Sequence, residues 1–130
     1  TEKYRDSVRL CLRFLSDEEV KEFLVESDII VLPYRREFDG ASGPMCEGIY
    51  LGKTIIGPSH GSLGSQLKSS HAGYTFESEN AEQLAACIEY ALEHPCIYDK
   101  TACQMQKELS PELFAERYLR IYREILQKKS

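Results

Sequence analysis

Three different rhythms of apolar residues run along this chain, and each predicts a different element. Val8, Leu10, Leu12 and Phe14 alternate with polar or smaller neighbours, the period of a half-buried strand. Ser16 and Glu19 have the spacing of a capping box, ahead of a helical stretch that places Val20, Phe23 and Leu24 on one face and runs out near Ser27 and Asp28. Ile29 to Leu32 is a continuous apolar run closed by Pro33, the pattern of a strand buried on both faces of a parallel sheet. Together these predict a β-α-β unit.

The succession then repeats. After a loop from Tyr34 to Gly43, Pro44 suits the first turn of a short helix read from Met45 and Ile49, with a glycine stop at Gly52. Thr54-Ile55-Ile56 reads as the next strand, and a second glycine-rich loop, GPSHGSLG, extends from Gly57 to Gly64 before Gln66 and Leu67. Tyr74 to Phe76 is a fourth short strand, after which Asn80 caps a helix expected to bury Leu84, Ala85, Ile88 and Leu92. Pro95 stops that helix, and a less regular helical patch spans Ile97 to Leu109. Ser110 and Pro111 open a last, strongly amphipathic helix on Phe114, Tyr118, Ile121, Tyr122 and Ile125.

The order βαβαβαβ followed by helices predicts an α/β fold: a Rossmann-like, mostly parallel sheet of about four strands with flanking helices. Residues 1–130 read as a single domain without internal repeat or linker. Domains of this kind usually open with the strands that form the middle of the sheet, so the expectation is a partial domain, the later part of something larger.

Composition narrows the partners. Twenty-one acids against sixteen bases give a net charge of -5 with neither sign in a long block, which argues against a nucleic-acid partner. No stretch approaches the ~20 apolar residues of a membrane span, and TEKYRDSVRL lacks the apolar core of a signal peptide, so a cytoplasmic protein is expected. The five cysteines, Cys11, Cys46, Cys87, Cys96 and Cys103, form no C-x-x-C pair and read as reduced structural thiols. His60, His71 and His94 have no metal-binding spacing, so neither metal nor cofactor is expected.

Several chemistries are excluded by their missing patterns. GxSxG is absent, since Gly40-Ala41-Ser42-Gly43 is one residue short. Gly52-Lys53-Thr54 imitates the end of a phosphate loop, but the required earlier glycine is Glu47, and the segment runs from helix into strand, the reverse of that motif. GxGxxG is missing too. What remains is two glycine-rich loops, each after a strand, where backbone amides and helix N-termini favour a phosphate. Asp39 and Glu47, eight residues apart around the first loop, suit hydroxyl-bearing groups, because an ionised carboxylate accepts from two vicinal hydroxyls. Phosphate between two sugars describes a nucleotide sugar. Taken singly, each feature has an ordinary reading as well: a turn for GPSHGSLG, a helix cap for Asp39, a solvated helix residue for Glu47.

The stretch from Ser27 to Phe76 resembles the carboxy-terminal, donor-binding domain of GT-B retaining glycosyltransferases, the glycogen-synthase-like and polysaccharide-building family. DGASGPMCEGIYLGKTII lines up without a gap on the family's E-x7-E segment, as in EGFGLVPLEAMACGKPVV. SDIIVLPY, GSLG and AGYTFESENAEQLAACI match the usual surroundings, so the resemblance covers about three quarters of the chain. It implies that Asp39 stands where the first glutamate contacts the transferred sugar. It also implies that the amides around Gly40, Ala41, Ser42 and Gly43 serve sugar and phosphate, and that Glu47 binds the ribose. Ser62, Leu63 and Gly64 are further substrate-site candidates, and Arg35 or Arg36 is the nearest basic candidate for the diphosphate.

Two departures stand out: aspartate replaces the first glutamate, with a shorter reach, and the family's basic residues and acceptor domain come from segments not in this sequence. The implied partners are a nucleotide-sugar donor and an N-terminal acceptor domain of the same protein. A homodimer through the exposed sheet edge or the Phe114–Tyr122 face of the last helix is an option for the chain alone, which is expected to be inactive by itself. Two other readings compete: a non-enzymatic Rossmann-like interaction module, and half of another nucleotide-sugar enzyme such as an epimerase.

Overall fold

The structure, a computed structural model, describes residues 5–129. Its elements are α1 (Asp17–Glu26), β1 (Ile29–Val31), α2 (Gly43–Tyr50), β2 (Thr54–Pro58), α3 (Gly61–Ser70), β3 (Gly73–Phe76), α4 (Ala81–Glu93), α5 (Lys100–Glu108) and α6 (Pro111–Lys128). The three strands form one parallel sheet in the order β1-β2-β3, with Ile30 opposite Ile55 and Ile56 opposite Tyr74. Helices α2 and α3 make the crossovers, which parallel neighbours require. The α/β, Rossmann-like class expected from the sequence is what is found.

Local signals close the elements. Ser16 and Glu19 form the full capping box on α1, Asn80 accepts from the Gln83 amide at the start of α4, and Ser110 with Pro111 opens α6. Gly52 follows α2 with φ +74°, a left-handed conformation that suits glycine at a helix end. On one face of the sheet Ile30 and Ile55 pack with Met45 and Ile49 of α2 and Leu63 and Leu67 of α3. Each such fully buried aliphatic contributes about 1.5–3 kcal/mol relative to an exposed position. The other face is covered by α4, which brings Ala91, Leu84, Cys87 and Ile88 against Ile56 and Phe76.

Four expectations are corrected. Val8 to Phe14 forms no strand, and Leu12 and Phe14 are 91% and 96% exposed. Alternation supplies a period but not a partner: β1 and β3 each keep an unpaired side among the described residues, and Arg13 is drawn instead to the α1 cap, its guanidinium reaching Glu19 at 2.6 and 3.1 Å. Among the described residues the sheet therefore has three strands rather than about four. The run Ile29 to Leu32 is buried on one face only, Ile29 and Val31 being half-buried, because α4 lies over β2 and β3. In α4, Ala85 and Leu92 point away from the sheet, Leu92 being 67% exposed, while Cys87 and Ala91 share the inner face with Leu84 and Ile88.

The fourth correction is the second glycine loop, which is mostly regular structure: β2 runs through Pro58 and α3 begins at Gly61, leaving Ser59 and His60 as the turn. The last helix carries the expected apolar stripe but buries none of it; it packs on α5, and Phe114 and Tyr122 are 60% and 58% exposed. No helix among the described residues is long and apolar enough to cross a membrane.

Candidate functional site

The carboxyl end of the sheet is where an open α/β fold presents its loops to ligands. Beyond β1 the chain folds into a fastened platform. The Tyr34 ring stacks on Phe38, centroids 4.4 Å apart, and the Phe38 amide donates to the Arg35 carbonyl at 3.1 Å. Gly40 lies against that ring, close enough that a Cβ would stand 3.4 Å from Phe38 Cζ. The Ser78 hydroxyl, just after β3, donates to the Tyr34 carbonyl and so ties two loops of the sheet edge together.

Ser42 ends the platform as the N-cap of α2. Its hydroxyl accepts from the Met45 amide at 3.2 Å and shares a hydrogen bond with the Tyr34 hydroxyl at 3.1 Å, and the residue is buried. That side chain is spent on the fold. The backbone is not: the amides of Gly40, Ala41 and Ser42 donate to no described residue.

Asp39 is engaged, by a helix other than the one behind it. Its Oδ1 accepts from the Ser62 amide at 2.9 Å and from the Ser62 hydroxyl at 2.8 Å. Ser62 lies in the first turn of α3, whose N-cap residue, His60, makes no side-chain capping bond. The cap reading of Asp39 is thus realised at α3, across a separation of 23 residues. The Ser62 amide, then its hydroxyl, with a smaller contribution from the charge of His60, hold the Asp39 carboxyl below the usual carboxylate range.

The approach requires Gly61, where φ is +64° and a Cβ would meet Asp39 Oδ1 at 2.7 Å. Asp39 is exposed, and its Oδ2 has no hydrogen-bond partner among the described residues. Beside it, neither ring nitrogen of His60 reaches solvent or a described partner, an uncommon condition for buried polar atoms.

Glu47 stands exposed on α2, one residue from the inward positions Gly48 and Ile49, and its carboxylate meets no described partner. The helix beneath it is held close to the sheet at Gly48, where a Cβ would come within 2.7 Å of Ile30 and 2.6 Å of Ile55. Burial pushes the neighbouring Cys46 thiol up. Leu63 places its side chain in the core and Gly64 lies against the backbone of Ser59, so of the three α3 candidates only Ser62 presents a polar group to Asp39.

Arg35 is exposed and lines a cleft of about 350 Å³ with Pro33, Phe76, Asn80 and Leu84, a cleft that Asp39 does not line. Arg36 is paired with Glu77 at 2.8 Å. Among the described residues no three His, Cys, Asp or Glu side chains gather as a metal would need.

The structure therefore brings together Asp39, the free amides from Gly40 to Ser42, and Ser62. Sequence reasoning passed over Tyr34, Phe38, His60 and Ser78. The first two carried a signal, an aromatic pair four residues apart inside a loop; Ser78 carried none. A family model described as "Glycosyl transferases group 1" matches residues 3–109. No curated protein and no solved structure matches the chain.

Proposed function

The chain belongs to the group 1 glycosyl transferases, and from that premise we propose that it forms the donor-binding half of a GT-B, retaining hexosyltransferase of glycan or polysaccharide synthesis. The observation that carries this reading is the run of three amides without a described partner, beside a carboxylate whose Oδ2 likewise meets no described donor, at the carboxyl end of a parallel sheet. In this reading the nucleotide sugar lies across the loops after β1 and β2. Oδ2 of Asp39 accepts from hydroxyls of the transferred sugar, the amides of Gly40 to Ser42 donate to sugar and phosphate oxygens, and Glu47 accepts from the ribose hydroxyls.

Transfer needs positive charge on the leaving diphosphate and an acceptor aligned on the reacting face. Arg35, exposed and without an ion pair among the described residues, is assigned to the first task, and acceptor binding is assigned to another part of the enzyme, so the chain alone does not turn over. The nucleotide sugar is a substrate, and no metal or cofactor enters the scheme.

Calorimetric titration with ADP, GDP and UDP tests the site. At least one is expected to bind, and Asp39→Asn is expected to leave that affinity nearly intact while abolishing the added affinity of the sugar-bearing form. Failure of all three to bind, or a parallel loss for bare and sugar-bearing nucleotide, would overturn the assignment. A second reading, a non-enzymatic interaction module, is favoured by one observation: the apolar stripe of α6 is uncovered. The same titration separates the two.

A further inference from the structure

We propose that Ser62 is a positioning residue for Asp39, fixing the carboxylate so that one oxygen, Oδ2, is presented to the donor sugar. The inference rests on the reading of Asp39 as a sugar contact, and it reassigns Ser62 from substrate contact to support of the residue that makes one. Both donors of Ser62 converge on a single oxygen, Oδ1, at 2.9 and 2.8 Å, while Oδ2 is left without a described partner. Two donors on one oxygen fix the rotation of the carboxylate plane.

Aspartate has one fewer rotatable bond than glutamate, so this clasp leaves the side chain little freedom to lose when a sugar binds. Gly61 makes room for the clasp, since any Cβ there would stand 2.7 Å from Oδ1. The base of the clasp is firm: Ser62 is carried by α3, whose Leu63 and Leu67 are in the core. His60 is the titratable group beside Asp39, and it does not bond to it.

The test uses the full chain and, from a panel of ADP-, GDP- and UDP-linked hexoses, the one that the wild type binds most tightly, with its bare nucleoside diphosphate as reference. Ser62→Ala is expected to reduce the preference for the sugar-bearing form by about tenfold, the scale of one hydrogen bond's loss of alignment, with the bare nucleotide within about twofold. Ser62→Thr, which keeps the hydroxyl, is expected to restore the preference. Carbon NMR of the Asp39 carboxyl adds a second readout: its titration moves up toward the usual range in Ser62→Ala and returns in Ser62→Thr.

A merely structural role for Ser62 would weaken both ligands alike. If Asp39→Asn loses the preference and Ser62→Ala keeps it, the positioning role is overturned and the donor site stands. If Asp39→Asn keeps the preference, or no panel member binds, the reading of Asp39 falls and the inference falls with it.

Discussion

The two glycine-rich stretches of this chain look alike as sequence and do opposite things as structure. In the first, Gly43 has nothing within 4 Å of where a Cβ would be, and three successive amides from Gly40 to Ser42 are left without a described partner. In the second, every glycine is pressed. A Cβ would stand 3.1 Å from Leu67 at Gly57, 2.7 Å from Asp39 at Gly61 and 2.4 Å from the carbonyl carbon of Ser59 at Gly64. The first stretch uses glycine to keep space open beside a loop; the second uses it to let a helix start against the strand it follows. Glycine enrichment at a strand's end therefore has two physical meanings, and only one concerns a ligand.

The largest effect that would break this comparison is at Gly64. Alanine there drives a methyl into backbone that cannot turn away, so Gly64→Ala is expected to cost about 2–4 kcal/mol and to lower Tm by roughly 8 °C or more. A melting curve within about 2 °C of wild type would show that the second stretch has the slack attributed only to the first.

Next in size is Glu47, on the helix that the first stretch opens. Its carboxylate has no described partner to lose, so Glu47→Ala should leave stability nearly unchanged while weakening nucleoside diphosphate binding by about 1.5–3 kcal/mol. Calorimetry showing equal affinity would remove Glu47 from the site.

A smaller effect of opposite sign is expected at Gly43, the first residue of α2, whose φ lies outside the left-handed region. Gly43→Ala should raise stability by about 0.5–1 kcal/mol through a less flexible unfolded chain. Denaturant unfolding that instead shows a loss would mean the open space is illusory.

The smallest effect links the two stretches through Asp39 and Ser62. The folded carboxyl titrates below its unfolded counterpart, so the contact stabilises above the ordinary carboxylate range, about pH 4, and is lost only as pH falls through the lower folded value. The Ser62 amide signal in NMR should thus hold its position down to about pH 4 and move below it, and Asp39→Asn should abolish that movement. A transition at the pH of an unperturbed carboxylate would show that the clasp does not hold in solution.

What the sequence by itself determined is whatever closes within a few residues. The Ser16 and Glu19 capping box, the Asn80 and Ser110 caps, the Gly52 stop and the apolar cores of β1 to β3 are local agreements between side chain and backbone, legible without knowing the fold. The pairing of a carboxylate with a glycine-rich amide run after β1 was legible for the same reason, since Asp39 to Ser42 is one continuous segment.

The tertiary structure alone decided what depends on a distant partner. Val8 to Phe14 had the right period and still joins neither outer edge of the sheet, β1 nor β3. Leu92 had the right chemistry on the wrong side of α4, because its face was set by where β2 and β3 lie. Asp39 found its donors on α3, 23 residues along the chain, through the placement of a helix start that no residue near Asp39 signals. A cap or a turn is a contest among a handful of neighbouring groups, whereas a strand edge, a buried face or a cross-loop hydrogen bond exists only once the chain has closed around the core.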